Sequence, residues 1–314
     1  MTRILITGGA GFVGTNLAER LLRDGHHVHV VDDFSTGTVA NVLRLKGFQR
    51  FSWSPCDISS PGALDMVPRG TKQIYNLASR ASPKAYTAKP IETLVTSTHG
   101  MKAVLDYAQS VGARVLQAST SEVYGDPSEN PQQESYWGNV NPIGPRSCYD
   151  EGKRAAETFC YEYGHLGVQT RIARLFNTYG PWMQPDDGRV VSNFITQALA
   201  GEALTIYGHG KQTRSLCYID DTVEGLIRLM DSPVDLPVNI GNPYEVTMIQ
   251  LAAAVLQAVG NPRGTVRHEP LPTDDPKQRK PDISRAALAL DWRPGVSLYD
   301  GLQKTVHYFR GITP

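Results

Sequence analysis

The segment TGGAGFVG, near the start of the chain, restricts the possible folds more than any other segment. Its glycines, Gly8, Gly11 and Gly14, follow an apolar run at residues 3–7 and lead into a helical periodicity at residues 12–24. Glycines between a strand and a helix let the backbone approach a diphosphate, whose charge is stabilised by the helix N-terminus. The segment therefore predicts a βαβ unit that binds a dinucleotide, although a tight turn without a ligand would have the same composition.

Strand-like and helical segments alternate through the first half of the chain. Apolar runs predict strands at residues 27–31, 50–54, 73–77 and 114–118, and residues 90–111 have a long helical pattern. This alternation is typical of a parallel sheet with helices on both faces. We therefore predict an α/β fold with a Rossmann-type, doubly wound parallel sheet and a smaller C-terminal α/β lobe.

The second half of the chain has shorter and less regular candidate elements. One strand is predicted at residues 168–175, with two short strands at 215–219 and 237–241. Proline-rich stretches at 127–145 and 262–281 predict ordered loops over a site, because loops of that length tend to be functional. Helices are predicted at residues 148–163, 189–200, 221–231, 247–259 and 298–310.

This pattern predicts two lobes between which the chain crosses. Residues 1–180 would form the nucleotide-binding domain, with later returns to it near residues 215–241. Residues 181–314 would form mainly the substrate-binding lobe.

The charge of the chain is balanced, with 31 Lys and Arg against 31 Asp and Glu. No global field would attract nucleic acid or an acidic membrane, so an anionic ligand needs local arginines. The four cysteines have no CxxC spacing, and we expect reduced thiols and no metal site. The first residues lead directly into a strand, and no apolar run reaches the roughly 18–20 residues that span a bilayer. We therefore expect a cytoplasmic protein with no signal peptide and no membrane partner.

An acidic residue closes the second predicted strand. Asp32 lies about 20 residues after the glycines, where a carboxylate binds the ribose hydroxyls of the adenosine. A carboxylate there would repel a 2′-phosphate, so the sequence favours NAD over NADP. Asp57, after the third predicted strand, is a candidate for the adenine pocket, although an aspartate with no ligand fits its position as well.

Tyr149 and Lys153 stand four residues apart at the start of a predicted helix, which places both on one face. A free tyrosine has a pKa near 10 and is a poor base at pH 7. A neighbouring ammonium and a positive nicotinamide would favour the phenolate and make it a working base. Thr120, just past the strand at 114–118, is a candidate to hydrogen-bond the hydroxyl that is oxidised. Two surface residues on a first helical turn would show the same spacing.

The predicted cofactor-binding residues belong to these segments and to the ends of the third and fourth strands. They are Gly8, Gly11, Phe12, Val13, Gly14, Asp32, Asp57, Ile58, Leu77, Ala78, Tyr149 and Lys153.

Longer motifs extend this pattern over nearly the whole chain. They are ASTSEVYGDP, YWGNVNPIGPRSCYDEGKR, FNTYGP, DGRVVSNFI, QTRSLCYIDD and KQRKPDIS. With them the chain resembles the extended short-chain dehydrogenase/reductase superfamily and, within it, the UDP-glucuronate decarboxylase (UDP-xylose synthase) family. The resemblance implies NAD-dependent conversion of UDP-glucuronate to UDP-xylose through a 4-keto intermediate. It also implies an NAD that is tightly bound and recycled in each turnover, and a homodimer formed through helices near residues 90–111 and 148–163.

The triplet Thr120-Ser121-Glu122 indicates the fate of the ketone. Similar 4,6-dehydratases have Thr-Asp-Glu here, and Ser121 cannot supply their acidic proton donor. Glu122 would repel the carboxylate of a bound uronic acid, which helps only if that carboxylate leaves. The resemblance assigns Glu122, through water, and Arg279 to decarboxylation and reprotonation at C5. Without it, an exposed carboxylate and a solvated cation explain the two residues.

Four further residues are candidates to bind the substrate. Asn177, Arg189 and Arg214 are candidates for the diphosphate and uridine, because a guanidinium suits phosphate. Tyr207 is a candidate for the uridine pocket or an aromatic residue of the core.

Two positions depart from the family pattern. Arg80 stands where proline is expected, and Trp182 stands where arginine is expected. A cation lost in one loop and gained in another would be compensation, or would mark a changed substrate. An arginine at position 80 that held the substrate carboxylate would favour a UDP-glucuronate 4-epimerase, the main alternative. A non-catalytic NAD-sensing protein is the remote alternative.

Overall fold

The computed structural model describes residues 1–270 and 279–312. The strands in these residues are β1 (Arg3–Thr7), β2 (His27–Asp32), β3 (Phe51–Pro55), β4 (Gln73–Asn76), β5 (Arg114–Thr120), β6 (Thr170–Leu175), β7 (Thr178–Tyr179), β8 (Leu204–Tyr207), β9 (Thr213–Ser215), β10 (Cys217–Tyr218), β11 (Val238–Ile240), β12 (Glu245–Thr247) and β13 (Val266–Glu269).

The helices surround and extend this framework. They are α1 (Phe12–Arg23), α2 (Val39–Leu45), α3 (Pro83–Ala88), α4 (Pro90–Val95), α5 (Met101–Val111), α6 (Ser147–His165), α7 (Val190–Leu199), α8 (Ile219–Asp231), α9 (Met248–Val259), α10 (Ser284–Leu290) and α11 (Leu298–Arg310). A π-helical turn (Thr96–Gly100) joins α4 to α5, and a 3₁₀ turn (Ser121–Tyr124) follows β5. Among the described helices, none combines the length and the apolar character that a bilayer-spanning segment needs.

Seven strands form a parallel central sheet in the order β11-β6-β5-β4-β1-β2-β3. The strand order reverses between β1 and β4. In open α/β sheets, ligands bind in the crevice at the carboxyl ends of the strands where the order reverses. The topology therefore places a candidate ligand site after β1, next to the glycine turn.

Apolar residues on both faces of the sheet explain why these segments are strands with helical cover. Ile4 and Ile6 belong to one buried cluster, whereas Leu5 between them belongs to the cluster on the opposite face. Successive side chains of a strand point to opposite faces, and a parallel sheet buried on both faces therefore needs a continuous apolar run. The predicted Rossmann-type α/β fold is confirmed.

Most predicted elements are confirmed with small shifts at their ends. The helical pattern at 90–111 is one segment interrupted by the π-helical turn. The predicted strand at 237–241 is β11, which joins the edge of the central sheet beside β6. This return agrees with the expected crossing of the chain, and the exact boundary between two lobes stays a prediction.

Two predictions for the second half are wrong in part. Residues 215–219 are not one strand, because β9 pairs with β12, β10 pairs with β7, and Ile219 begins α8. The predicted loop at 262–281 contains β13, which pairs with β8, and its residues 271–278 lie outside the described residues. These strands are short, and their pairing comes from distant segments, so local sequence does not specify them.

Candidate active site

The glycine turn after β1 fits tightly against the end of β4. Gly8 has a φ of 71°, and a Cβ there would lie 2.7 Å from the backbone of Ala78. A Cβ on Gly14 would lie 2.3 Å from the carbonyl oxygen of Gly8. Because the N-cap residue of α1 is Gly11, the helix begins without a side-chain cap. The N-terminal amides of α1 and the bare backbone of the turn therefore fit a diphosphate.

A cleft of about 420 Å³ lies over this turn. Its volume falls within the roughly 300–1,000 Å³ that is usual for ligand sites. Ten of the twelve predicted cofactor residues line it, namely Gly8, Gly11, Phe12, Val13, Gly14, Asp32, Asp57, Ile58, Leu77 and Ala78. The other two, Tyr149 and Lys153, are on α6 and are not part of the lining.

Asp32 closes β2 and braces the turn. Its Oδ2 accepts a hydrogen bond from the amide of Ala10 at 2.9 Å, and its Oδ1 accepts one from the amide of Phe34 at 2.8 Å. Burial raises the pKa of Asp32, and the two amides oppose that rise. Each carboxylate oxygen keeps a second lone pair, so ribose hydroxyls can still bind there. Asp57 lines the same cleft but also accepts from the Ser59 amide at 2.8 Å, as a loop aspartate would.

Tyr149 lies on the first turn of α6, buried against a second tyrosine. Its ring stacks on Tyr86 with centroids 5.1 Å apart. The ammonium of Lys153 is 5.8 Å from the centre of the Tyr149 ring and donates to the carbonyl oxygen of Ala118 at 2.8 Å. This bond ties α6 to β5, the strand that ends at Thr120. The i, i+4 spacing therefore brings the phenol and the ammonium to one side of α6, near β5.

Burial controls the acidity of both residues. It raises the pKa of Tyr149 to about 12, and a hydrogen bond with Thr120 opposes this rise. It lowers the pKa of Lys153 to about 8. The expected lowering of the tyrosine pKa by the ammonium is thus outweighed by loss of solvent around the phenol. Further positive charge near the phenol is needed to make it a base at neutral pH.

Glu122 is held by two arginines. Arg279 donates through Nη1 to Oε1 and through Nη2 to Oε2, and Arg146 donates to Oε2 through Nη2. Arg279 is buried, and burial lowers its pKa to about 10, so it stays charged at neutral pH. Its Nε has no hydrogen-bond partner among the described residues. The sequence argument that Glu122 would repel a substrate carboxylate needs correction, because the two guanidinium groups offset its charge.

Arg146 and Tyr86 are site residues that the sequence analysis missed. Arg146 is the N-cap residue of α6, and a cation is unfavourable at a helix N-terminus unless it has a partner. An arginine at the start of a predicted helix therefore indicates a nearby acidic partner. Tyr86 lies in α3, under the guanidinium of Arg146 at 5.9 Å, and its buried hydroxyl has no partner among the described residues. No sequence spacing pointed to Tyr86.

The structure divides the predicted substrate residues into two groups. Arg80 and Arg189 line the cofactor cleft, and Arg189 is paired with Asp187 at 2.9 Å. Asn177, Tyr207 and Arg214 do not line that cleft. Tyr207 is 44% exposed, so the alternative that it is a core aromatic residue is wrong. The ligand roles of all five residues stay predictions. No group of three or more His, Cys, Asp or Glu in residues 1–270 and 279–312 is arranged to hold a metal ion.

The fold and the cleft define the class of protein. The chain belongs to the NAD dependent epimerase/dehydratase family, whose model matches residues 4–241. Within this class it is 54% identical to UDP-glucuronic acid decarboxylase 1 of Xenopus tropicalis over 309 residues, which cover 98% of this chain and 72% of the relative. It is 50% identical to UDP-glucuronic acid decarboxylase 1 of Arabidopsis thaliana, over 98% of this chain and 70% of the relative.

Solved structures agree with this assignment. A UDP-glucose 4-epimerase from Thermotoga maritima, with UDP-glucose, is 28% identical with a TM-score of 0.91 and covers 100% of both chains. The UDP-glucuronic acid 4-epimerase of Bacillus cereus, in complex with UDP-glucuronic acid and NAD, is 27% identical with a TM-score of 0.87. This alignment covers 99% of the present chain and 100% of the epimerase. The recognition of an extended short-chain dehydrogenase/reductase is confirmed.

Replacement of Gly14 by alanine tests the cofactor cleft. The new methyl group would meet the Gly8 carbonyl at 2.3 Å, so the turn must shift away from its diphosphate-binding shape. We expect the NAD affinity to fall about tenfold or more in calorimetric titration, which corresponds to the cost of overpacking. Gly47→Ala is the control, since no atom lies within 4 Å of a Cβ there. Equal NAD affinities of the two variants would contradict the assignment of the turn.

Proposed function

We propose that the protein is an NAD-dependent UDP-glucuronate decarboxylase that forms UDP-xylose. The observation that carries this proposal is the pairing of Glu122 with Arg279 beside the strand that ends at Thr120. Relatives with the name UDP-glucuronic acid decarboxylase, 50–54% identical over 98% of the chain, support the same reaction.

The cleft residues would hold NAD. The amides at the N-terminus of α1 bind its diphosphate, and Asp32 binds the adenosine ribose and disfavours a 2′-phosphate. When bound, NAD supplies a hydride acceptor for C4 of the sugar and gives the hydride back at the end of the cycle. Because no net NAD is consumed, we propose that it is tightly bound and recycled.

Tyr149 begins the reaction as a base. Its phenolate oxygen takes the proton of the C4 hydroxyl and becomes the neutral phenol, while Thr120 hydrogen-bonds the same sugar oxygen. Burial raises the pKa of Tyr149 to about 12, which favours the neutral phenol at pH 7. The positive charges of Lys153 and of the nicotinamide ring would lower this pKa and favour the phenolate. Lys153, fixed on the carbonyl of Ala118, is placed to bind the nicotinamide ribose as the family resemblance implies.

Loss of carbon dioxide follows from the C4 ketone. The ketone is β to the C6 carboxylate, so the bond between C5 and C6 can break and leave its electron pair in an enolate. Tyr149 and Thr120 stabilise the developing oxygen anion by hydrogen bonds. Protonation at C5 then restores the ketone, and the returning hydride gives the pentose.

Glu122 and its arginines would control the middle steps. Glu122 would orient a water that protonates C5. Arg279 fixes the carboxylate of Glu122 through two parallel hydrogen bonds. The buried Nε–H of Arg279, which has no partner among the described residues, would donate to the substrate carboxylate. Arg146 also donates to Glu122, and its Nε lies 3.8 Å from the carboxylate of Asp150, so the two guanidinium groups face two carboxylates before the uronic acid binds. Ser121, which is buried at the same turn, stays a predicted site residue.

The contacts of a few residues argue against the two alternative functions, epimerisation and NAD sensing without catalysis. Epimerisation depended on Arg80 holding the substrate carboxylate, but Arg80 is paired with Asp33 and lines the cofactor cleft. A non-catalytic NAD-sensing protein does not need the Tyr149 and Lys153 pair, which is intact. Asn177, Arg189, Arg214 and Tyr207 remain proposed contacts for the nucleotide part of the substrate.

We also propose a cytoplasmic homodimer formed through α4 and α6. Ile91 on α4 and Tyr161 on α6 are 69% and 65% exposed, and apolar side chains of this size favour an interface. Sedimentation equilibrium should give twice the chain mass, and Ile91→Glu should give the chain mass. A wild-type monomer would contradict this proposal without affecting the decarboxylase assignment.

The product of UDP-glucuronate tests the proposed function. We expect incubation with UDP-glucuronate and NAD to give a nucleotide sugar lighter by about 44 Da, the mass of carbon dioxide lost from the β-keto acid made by the Tyr149 base. An isobaric product would instead indicate epimerisation. An unchanged substrate would support the non-catalytic alternative.

Two variants should separate the first step from the later ones. Tyr149→Phe removes the base and should abolish turnover while NAD still binds. Glu122→Gln should permit the initial oxidation, seen as NADH absorbance, and slow UDP-xylose formation by about 10²-fold. Glu151→Gln, on α6 and paired with Arg154, is the matched control. Unchanged product formation by Glu122→Gln would refute its role.

A further inference from the structure

Three segments that line the cofactor cleft are linked to one another in pairs. We refer to residues 33–36, 80–84 and 184–186 together as the cleft collar. The links are an ion pair from Arg80 Nη2 to Asp33 Oδ2 at 3.5 Å, an ion pair from Lys84 Nζ to Asp186 Oδ2 at 3.3 Å, and a hydrogen bond from Gln184 Nε2 to the carbonyl oxygen of Thr36 at 2.7 Å. Residues on both sides of each link line the cleft, so the collar forms a closed ring of contacts around it.

Arg80 occupies the inner part of this ring. Its side chain is 13% exposed, whereas those of Lys84 and Asp186 are 67% and 76% exposed. Besides Asp33, its guanidinium contacts the hydroxyl of Thr96 at 3.5 Å. Two residues earlier in the chain, Ala78 packs directly against Gly8 of the phosphate-binding turn. Arg80 therefore follows the segment that packs against the phosphate-binding turn, and it lines the same cleft as that turn.

Of the three cations that line the cleft, Arg80 has the weakest contacts with carboxylates of the protein. Five carboxylates and three cations line the cleft, so an anionic ligand meets an excess of negative charge. Arg189 has close contacts with Asp187, to which both its Nε and its backbone amide donate within 2.9 Å. Lys84 donates both to the carboxylate and to the backbone carbonyl of Asp186. The ion pair of Arg80 is the longest of the three, at 3.5 Å, and a guanidinium has five N–H donors.

We propose that Arg80 is a cofactor-binding residue that binds the diphosphate of NAD and, held by the collar, slows release of the cofactor. This proposal rests on the NAD-dependent function proposed above and explains how the cofactor would stay bound while the 4-keto intermediate is present. It assigns Arg80 to the cofactor and not to the substrate carboxylate. A proline or a neutral side chain at position 80 cannot make this contact.

The rate of cofactor release tests the proposal without any sugar substrate. The purified chain is loaded with NADH and mixed with excess NAD, and the loss of bound-NADH fluorescence gives the dissociation rate constant. We expect Arg80→Gln to release NADH about 10- to 100-fold faster, because a hydrogen bond to a charged group contributes roughly 1.5–3 kcal/mol. Arg80→Lys keeps the charge and should fall between Arg80→Gln and the wild type.

Matched variants separate this role from a general loss of structure. Arg23→Gln removes an exposed arginine that pairs with Glu19 on α1, outside the cleft, and should release NADH at the wild-type rate. Asp33→Asn loosens the collar and retains the cation, and it should accelerate release by less than Arg80→Gln does. Melting temperatures of all variants identify any variant that fails to fold, and Arg80→Lys then carries the test.

Three outcomes would overturn the proposal, and a fourth would overturn only the proposed function. Release by Arg80→Gln within twofold of Arg23→Gln would exclude a contact with the cofactor. A loss of NADP binding with NAD binding unchanged would assign Arg80 to a 2′-phosphate. A higher KM for UDP-glucuronate with unchanged NADH release would assign it to the substrate. A wild-type chain that binds NADH but makes no UDP-xylose would contradict the proposed function and leave the Arg80 test intact.

Discussion

The arrangement of the site depends on one partly buried carboxylate held by two guanidinium groups. A buried ion pair is stable only when its charges are matched and its hydrogen bonds are made, and Glu122 meets this condition through Arg279 and Arg146. Glu122 follows β5, Arg146 caps α6, and Arg279 comes from the far end of the chain. The carboxylate therefore connects three segments that each contribute a residue to the chemistry.

The proline-rich loop at 127–145 holds the third of these segments in place. The amide of Gln132 donates to the carbonyl of Lys280 at 2.8 Å, and its side-chain oxygen accepts from the Lys280 amide at 2.9 Å. Gln132 is buried, and Asn239 in the middle of β11 donates to its carbonyl at 3.0 Å. The loop thus positions Arg279 from the central sheet, which gives a physical reason for its length and order.

The sequence predicts the cofactor half of the site better than the sugar half. Gly8, Gly14 and Asp32 act through short-range geometry, so their spacing between a strand and a helix is informative. Tyr149 and Lys153 are predictable for the same reason, since one helix carries both. Tyr86 and the β8–β13 pair depend on contacts between distant segments, and no local pattern encodes them. The raised pKa of Tyr149 could not be predicted from the sequence either, because it results from burial by several packed segments.

The two departures from the family pattern both fall on the cofactor side. Trp182 lines the same cleft as Arg80, at a φ of 75°, with Arg44 stacked on its ring at 3.6 Å and Tyr308 packed 4.9 Å away. The indole of Trp182 is uncharged and gives the cleft no cation, whereas the guanidinium of Arg80 does. The ion pairs of Glu122 are with Arg146 and Arg279. Neither changed position takes part in them, so the proposed chemistry at C5 is separate from both changes. We propose that the loss and the gain of a cation compensate each other in cofactor binding and leave the reaction type of the family unchanged.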